Sequence, residues 1–145
     1  MGKPTPLGLA AEAGHTEVVK ELLAHPRLNV NETCEPCFGG TSLLVAARKG
    51  HVKAVDLILR DSRVHPNQED HYRKTALWWA AYNGYTEVVR RLVQSSRVRV
   101  NATYYCDPLS AAENKGHWEI AQLLRATRCS TTPSDNSTAR RSAIL

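Results

Sequence analysis

The strongest constraint on this chain is internal repetition. Four segments fall into register: Thr5-Pro6-Leu7 leading through Ala10-Ala11 to Gly14-His15; Thr41-Ser42-Leu43 through Ala46-Ala47 to Gly50-His51; Thr75-Ala76-Leu77 through Ala80-Ala81 to Gly84-Tyr85; and Asp107-Pro108-Leu109 through Ala112-Glu113 to Gly116-His117. Each runs on into an apolar pattern, Val18, Val19, Leu22 and Leu23 in the first copy and Val88, Val89, Leu92 and Val93 in the third. In three copies 24 residues separate the Leu from a terminal Asn: Leu7 to Asn31, Leu43 to Asn67 and Leu77 to Asn101. The step from that Asn to the next Thr or Asp shortens from 10 to 8 to 6. A body that stacks on its neighbours cannot change length, whereas a projecting connector can.

The repeating unit reads as a helix pair. Thr5, Thr41, Thr75 and Asp107 are N-cap residues, and Pro6 and Pro108 stand at the favoured first helical position. A short first helix carries paired alanines, which let a second helix approach closely, and the following glycine supplies a left-handed C-cap. The second helix shows apolar residues at i, i+1 and i+4, an amphipathic stripe. Helices of about ten residues are marginal alone, so the pairs must support one another in a row.

These residues resemble the ankyrin repeat: a Thr-Pro-Leu start, an Ala-Ala pair, Gly-His at the turn, a Val-Val-x-x-Leu-Leu second helix and Val-x-Asn before a finger. The resemblance spans about Pro4 to Arg128. It implies an all-α repeat solenoid of stacked antiparallel helix pairs joined by β-hairpin fingers. One domain is expected over residues 1–129, with repeats at about 4–36, 40–70, 74–102 and 106–129. Seven of the 16 residues from Ser130 to Leu145 are Ser or Thr without helical period, so 130–145 reads as a disordered tail. The one-residue extension between Leu23 and Asn31, and Trp79 ahead of an Ala-Ala pair, are similar to long tandem arrays of filamentous fungi.

Departures from the family pattern carry information. The His of its Thr-Pro-Leu-His start is replaced by Gly8, Leu44, Trp78 and Ser110, which removes the bond from that His to the capping residue. Glu113 in place of an Ala and Arg125 in place of an apolar residue suit a solvent-facing terminal cap. The first copy keeps an ordinary internal pattern, as expected of a fragment of a longer array or of a marginally stable isolated stack.

No stretch approaches the roughly 20 apolar residues of a membrane span, and the segment Met1 to Pro6 has no apolar signal region. A cytoplasmic or nuclear location follows as the expectation. Four cysteines without such a signal argue against a disulfide framework. Cys34-Glu35-Pro36-Cys37 is half of a zinc site with no second pair, so free thiols in a loop are expected. The net charge is +5, and between His71 and Asn101 six cations (Arg73, Lys74, Arg90, Arg91, Arg97, Arg99) face Glu87 alone. Such a stretch is either a solvated basic face or a surface for an acidic partner.

The six histidines fall at repeat turns, in loops or in a finger, and they assemble no nucleophile–base–orienter set. No Gly-rich phosphate loop follows a strand. No enzyme activity, cofactor, metal or small-molecule substrate is therefore expected. The resemblance explains the turn histidines as rings that bridge to the backbone of the neighbouring repeat.

The resemblance also implies a concave groove made by finger tips and the exposed face of the first helices. Here the tips carry Cys37, Phe38 and Gly40, then His71, Tyr72 and Lys74, then Thr103, Tyr104 and Cys106. The helices carry Glu12, Arg48, Lys49, Tyr82, Asn83, Asn114 and Lys115. The only Phe and three of five Tyr fall at these positions, beside four cations, and aromatic and Arg anchors typify interface hot spots. The candidate partner-binding residues are accordingly Phe38, Arg48, Lys49, His71, Tyr72, Lys74, Tyr82, Asn83, Tyr104, Asn114 and Lys115. Finger aromatics serve equally well to brace one finger on the next. Trp78 and Trp79 read as helix-packing residues, and Trp118 as a cover for the turn beside repeat three. The function implied is that of a monomeric protein-binding scaffold. A structural spacer within a larger array is the alternative, and nucleic-acid or anion binding by the basic third repeat a distant third.

Overall fold

The computed structural model describes residues 3–101 and 107–130, which form eight α-helices in four pairs. These are α1 (Pro6–Ala13) with α2 (Thr16–Leu23), α3 (Ser42–Lys49) with α4 (Val52–Arg60), α5 (Ala76–Asn83) with α6 (Thr86–Gln94), and α7 (Pro108–Asn114) with α8 (Trp118–Ser130). The first helices pack in one row and the second helices in another. This is the all-helical repeat solenoid that the spacing implies.

The predicted caps set the helix starts. Thr5 Oγ1 accepts from Gly8 N at 2.9 Å, Thr41 from Leu44 N at 3.3 Å and Thr75 from Trp78 N at 3.2 Å. In repeat four the Ser110 hydroxyl donates to the Asp107 carboxylate at 2.8 Å, a substitute for the missing family histidine. Between the rows lies one aliphatic core; Leu43, Ile58, Leu77, Leu92, Ile120 and Leu124 are fully buried. The paired alanines of the first three repeats are at most 6% exposed, which is what close approach of the helix rows requires.

Neighbouring repeats are also tied through their loops. Asn31 Nδ2 donates to the Arg63 carbonyl (2.8 Å) while its Oδ1 accepts from His65 N (2.7 Å). Asn67 repeats this clamp one unit on, with the Arg97 carbonyl at 2.8 Å and Arg99 N at 2.7 Å. The guanidinium groups reach back. Arg63 donates to the carbonyls of Leu23 and His25, and Arg97 to those of Leu59 and Val64, satisfying backbone acceptors at the ends of α2 and α4. Much of the basic excess of repeat three is thereby engaged inside the molecule, since Arg90 also pairs with Glu87 and Glu119, and Arg91 lies 3.9 Å from Asp56. At the far end Glu113 and Arg125, the two departures from the family pattern, pair with each other.

The fingers differ from paired strands. Among the described residues there is one isolated antiparallel bridge, Cys34 to Gly40, and finger one folds into a 3₁₀ turn over Glu35–Cys37. Pro36 lacks the donor that a longer ladder would need. Finger two closes as a tight turn around buried Asp70, whose Oδ1 accepts from Tyr72 N (2.9 Å) and Lys74 N (3.0 Å). His71 N donates to the Phe38 carbonyl at 2.9 Å and so joins the two fingers. Residues 102–106 of finger three, and the tail from residue 131, lie outside the described residues.

Candidate functional site

The C-terminal ends of α1 and α3, the first half of α5 and the first two fingers meet on one side of the stack. There Glu12, Pro36, Phe38, Arg48, Lys49, Tyr72, Lys74, Trp78 and Trp79 line an open cleft of about 560 Å³, within the size range of ligand pockets. Five of the eleven sequence-derived candidates, Phe38, Arg48, Lys49, Tyr72 and Lys74, meet in it.

Two aromatic assemblies shape the cleft. Phe38, held at the left-handed φ of 58°, meets the Tyr72 ring at 5.5 Å between centroids. Both are about half exposed, so the pair braces finger on finger and still offers surface to solvent. On α5, Trp78 and Tyr82 are one helical turn apart and stack at 4.8 Å with 16° between planes. Trp79 meets both edge-on and donates from its indole nitrogen to Asp70 Oδ2 at 2.7 Å. That bond fixes finger two to α5 and satisfies the polar end of a half-buried ring.

The cations lie over these rings. Arg48 stands 5.6 Å from the Phe38 centroid and 5.7 Å from that of Trp79. Lys74 Nζ is 4.4 Å from the Trp78 ring and Lys115 Nζ 4.5 Å from that of Tyr82. These are cation–π distances. Lys49 pairs loosely with Glu12 at 3.8 Å.

The remaining candidates are spread out. Asn83 donates to the Arg48 carbonyl at 3.0 Å and links α5 to α3. His71 lies beside Gly39 and 3.9 Å from Glu35, on the finger and not among the residues lining the cleft. Asn114 is exposed on α7, and Tyr104 lies outside the described residues.

Several sequence expectations need correction. Cys37 is no finger-tip residue: it is 2% exposed and shares a small core with Cys34 and Val45. Burial, with the hydrogen bond to Cys34, pushes its thiol up to about 12. Among the described residues no group of three or more His, Cys, Asp or Glu side chains gathers to hold a metal ion. Trp118, expected over the turn beside repeat three, is 61% exposed. Trp78 and Trp79 do pack, as expected, but they also line the cleft. Trp78 stands at the pattern's His position, at the start of the first helix, and Trp79 follows it.

His51 Nε2 lies 2.9 Å from the Glu12 carbonyl and His117 Nε2 3.1 Å from that of Tyr82, the bridging implied by the resemblance. No helix among the described residues is long and apolar enough to cross a membrane.

Comparison with known proteins agrees with this architecture. A family model of ankyrin repeats (three copies) matches residues 2–70 and 43–135. The chain is 38% identical over 88 residues to the putative ankyrin repeat protein YahD of Escherichia coli, covering 58% of this chain and 43% of the relative. It is 35% identical over 124 residues to the ankyrin repeat and KH domain-containing protein mask-1 of Caenorhabditis elegans, covering 83% of this chain and 4% of the relative. A putative E3 ubiquitin-protein ligase of Plasmodium falciparum is 34% identical over 73 residues, half of this chain and 1% of the relative. With its caps, turns and stacked pairs in register, the chain belongs to the ankyrin repeat family, whose repeats are in general non-catalytic protein-interaction modules.

Proposed function

We propose that this chain is a protein-binding scaffold that carries out no reaction of its own and receives a segment of its partner in the concave groove. The observation that carries this reading is the cleft between fingers one and two, which four aromatic rings and the side chains of Arg48, Lys49 and Lys74 line together with Glu12. Aromatic and Arg side chains with restricted rotamers make efficient anchors, because little conformational freedom is lost on binding. The groove extends along α5 to Tyr82, Asn83 and Lys115, with Asn114, His71 and Tyr104 at its margins. Its cations favour an acidic partner surface.

Photo-crosslinking tests this directly. A benzoylphenylalanine at position 72 should trap a protein partner, and trapping should weaken with Arg48→Ala in the same chain. The same probe at Lys53, exposed on α4, should trap none. Capture at position 53 alone would overturn the groove assignment.

A second reading is favoured by one finding. Relatives that match the chain include proteins of which it covers 4% and 1%. As a spacer within a longer array, the chain would leave Arg48 and Tyr72 dispensable to every interaction of the parent protein.

A further inference from the structure

We infer that Cys34 and Cys37 form a thiol–disulfide site, closed by a small-molecule disulfide of the glutathione class and stabilised in its oxidised form by the fold of finger one. This is independent of the groove reading above.

The local chain brings the sulfurs together. Cys34 has an extended backbone, and Glu35–Cys37 then make one 3₁₀ turn. The Cys34 carbonyl closes that turn by accepting from Cys37 N and Gly39 N, each at 3.0 Å, and Cys34 N donates to the Gly40 carbonyl at 2.9 Å. Such a turn holds its first and fourth Cα atoms within about 7 Å, close to the span a disulfide needs. The side chains turn toward each other, and the two Sγ atoms share a hydrogen bond at 2.7 Å. A sulfur–sulfur bond of about 2.05 Å lies within a small movement of that position.

The surroundings suit the oxidised pair. Cys34 is 0% and Cys37 2% exposed, and they share a small core with Val45. Gly8 leaves room for this core, since a Cβ there would stand 3.4 Å from Cys34 Cβ. The reduced pair buries two weak S–H donors. Beyond their mutual bond, Cys37 Sγ has only a long contact among the described residues, 4.0 Å to Glu12 Oε2. A disulfide carries no S–H that needs a partner, so an apolar core accepts it more readily. The bond would also staple the turn on which Phe38 stands at φ 58°, with its carbonyl accepting from His71 N of finger two.

The chemistry is a two-step exchange. One protein thiolate attacks a sulfur of glutathione disulfide and expels a glutathione thiolate. The second protein thiolate then attacks the protein sulfur of the mixed disulfide and expels the other. The protein dithiol gives up two electrons and two protons, which end on two molecules of glutathione thiol. Burial keeps the reagent from the closed finger, so exchange runs through the unfolded chain and refolding encloses the product.

The experiment uses the whole chain with Cys106→Ser and Cys129→Ser, refolded from urea in mixtures of reduced and oxidised glutathione. Acid quench, alkylation and mass spectrometry count dithiol, mixed disulfide and disulfide, starting from either the reduced or the oxidised chain. At one glutathione ratio, disulfide over dithiol should be about tenfold higher in native buffer than in concentrated urea. By linkage the oxidised chain should show the higher urea midpoint, and amide exchange at Phe38, Gly39 and Gly40 should slow. Peptide mapping of the wild-type chain should place the bond between Cys34 and Cys37. Equal ratios in native buffer and in urea would overturn the inference, as would a folded chain that holds glutathione on one cysteine. A lower midpoint for the oxidised chain would also overturn it, and would show a core built for two thiols.

Discussion

The His51 imidazole lies over the left-handed Gly14 of the preceding repeat, with its Nε2 2.9 Å from the Glu12 carbonyl. A carbonyl only accepts, so Nε2 carries the hydrogen of this bond. His117 treats Gly84 and the Tyr82 carbonyl in the same way, and Tyr85 lays its ring over Gly50. Each of these glycines thus turns the chain into the second helix and also seats a ring from the next repeat.

Gly50→Ala should therefore cost more than backbone strain alone. At φ +79° a side chain costs about 1–2 kcal/mol, and a Cβ there would stand 2.7 Å from Tyr85 Cε1. Gly116 has a similar φ of +78° but no described residue within 4 Å of its would-be Cβ. Urea unfolding should show Gly50→Ala clearly more destabilised than Gly116→Ala. Equal losses would mean that the Tyr85 ring moves aside without consequence.

The core sets a second contrast. Leu92 is fully buried on α6, so Leu92→Ala should cost about 2–5 kcal/mol, a large share of the stability of so short a stack. Leu57 on α4 is only partly buried at the edge of the core, and Leu57→Ala should lower the midpoint much less. An unchanged midpoint for Leu92→Ala would place α6 wrongly.

The repeat spacing made the helix pairs legible, because caps, glycines and alanines recur with their physical reasons attached. Loop chemistry was harder to read. Arg27, Arg63 and Arg97 all stand four residues before the terminal Asn, a recurrence easily taken for surface charge. The structure shows that Arg63 and Arg97 bond backbone carbonyls of the preceding repeat. Within the candidate site, Phe38, Arg48 and Tyr72 followed from family position. The contribution of Trp78 and Trp79 did not, since an indole can pack on a helix and line a cleft at once. Nor did the burial of Cys37, which depends on how finger one folds under Phe38.

Acid should weaken the joint between repeats one and two. Arg63 donates to both oxygens of Asp61, Nε to Oδ1 at 2.9 Å and Nη2 to Oδ2 at 2.6 Å. These hydrogen bonds hold the Asp61 carboxyl below its ordinary value of 3.8, against the opposing effect of burial. Because the folded value is the lower one, this stabilisation is present above the unfolded value and disappears as pH falls through the folded value. Asp61→Asn should lose stability at neutral pH and show a flatter decline below about pH 4. Melting curves of both proteins from neutral to strongly acidic pH check it, and parallel acid limbs would sink the assignment.

The thiols of finger one should be slow. With Cys37 pushed up to about 12, little of its thiolate is available near neutral pH, and both sulfurs are buried from reagent. In a Cys106→Ser, Cys129→Ser background, an aromatic disulfide reagent should modify Cys34 and Cys37 only on unfolding, at a rate that tracks denaturant. Prompt labelling of the folded chain would show that finger one opens.

The groove yields the last prediction. Tyr72→Ala, Tyr82→Ala and Arg48→Ala should each weaken partner binding by about 1–2 kcal/mol if these are anchors. Their causes differ. Tyr72→Ala strips Phe38 of its ring contact, Tyr82→Ala exposes one face of Trp78 and frees Lys115, and Arg48→Ala removes a cation from above Phe38 and Trp79. Arg91→Glu changes the charge by two units on α6, where Arg91 lies 3.9 Å from Asp56 and outside the cleft. It should leave affinity nearly unchanged, with a salt-dependent effect on association rate alone. Each variant's melting curve comes first, because a general loss of folding would weaken all four alike. If folded Arg91→Glu fails to bind while folded Tyr72→Ala and Tyr82→Ala bind normally, the groove is not the site, and the partner docks on the second-helix face.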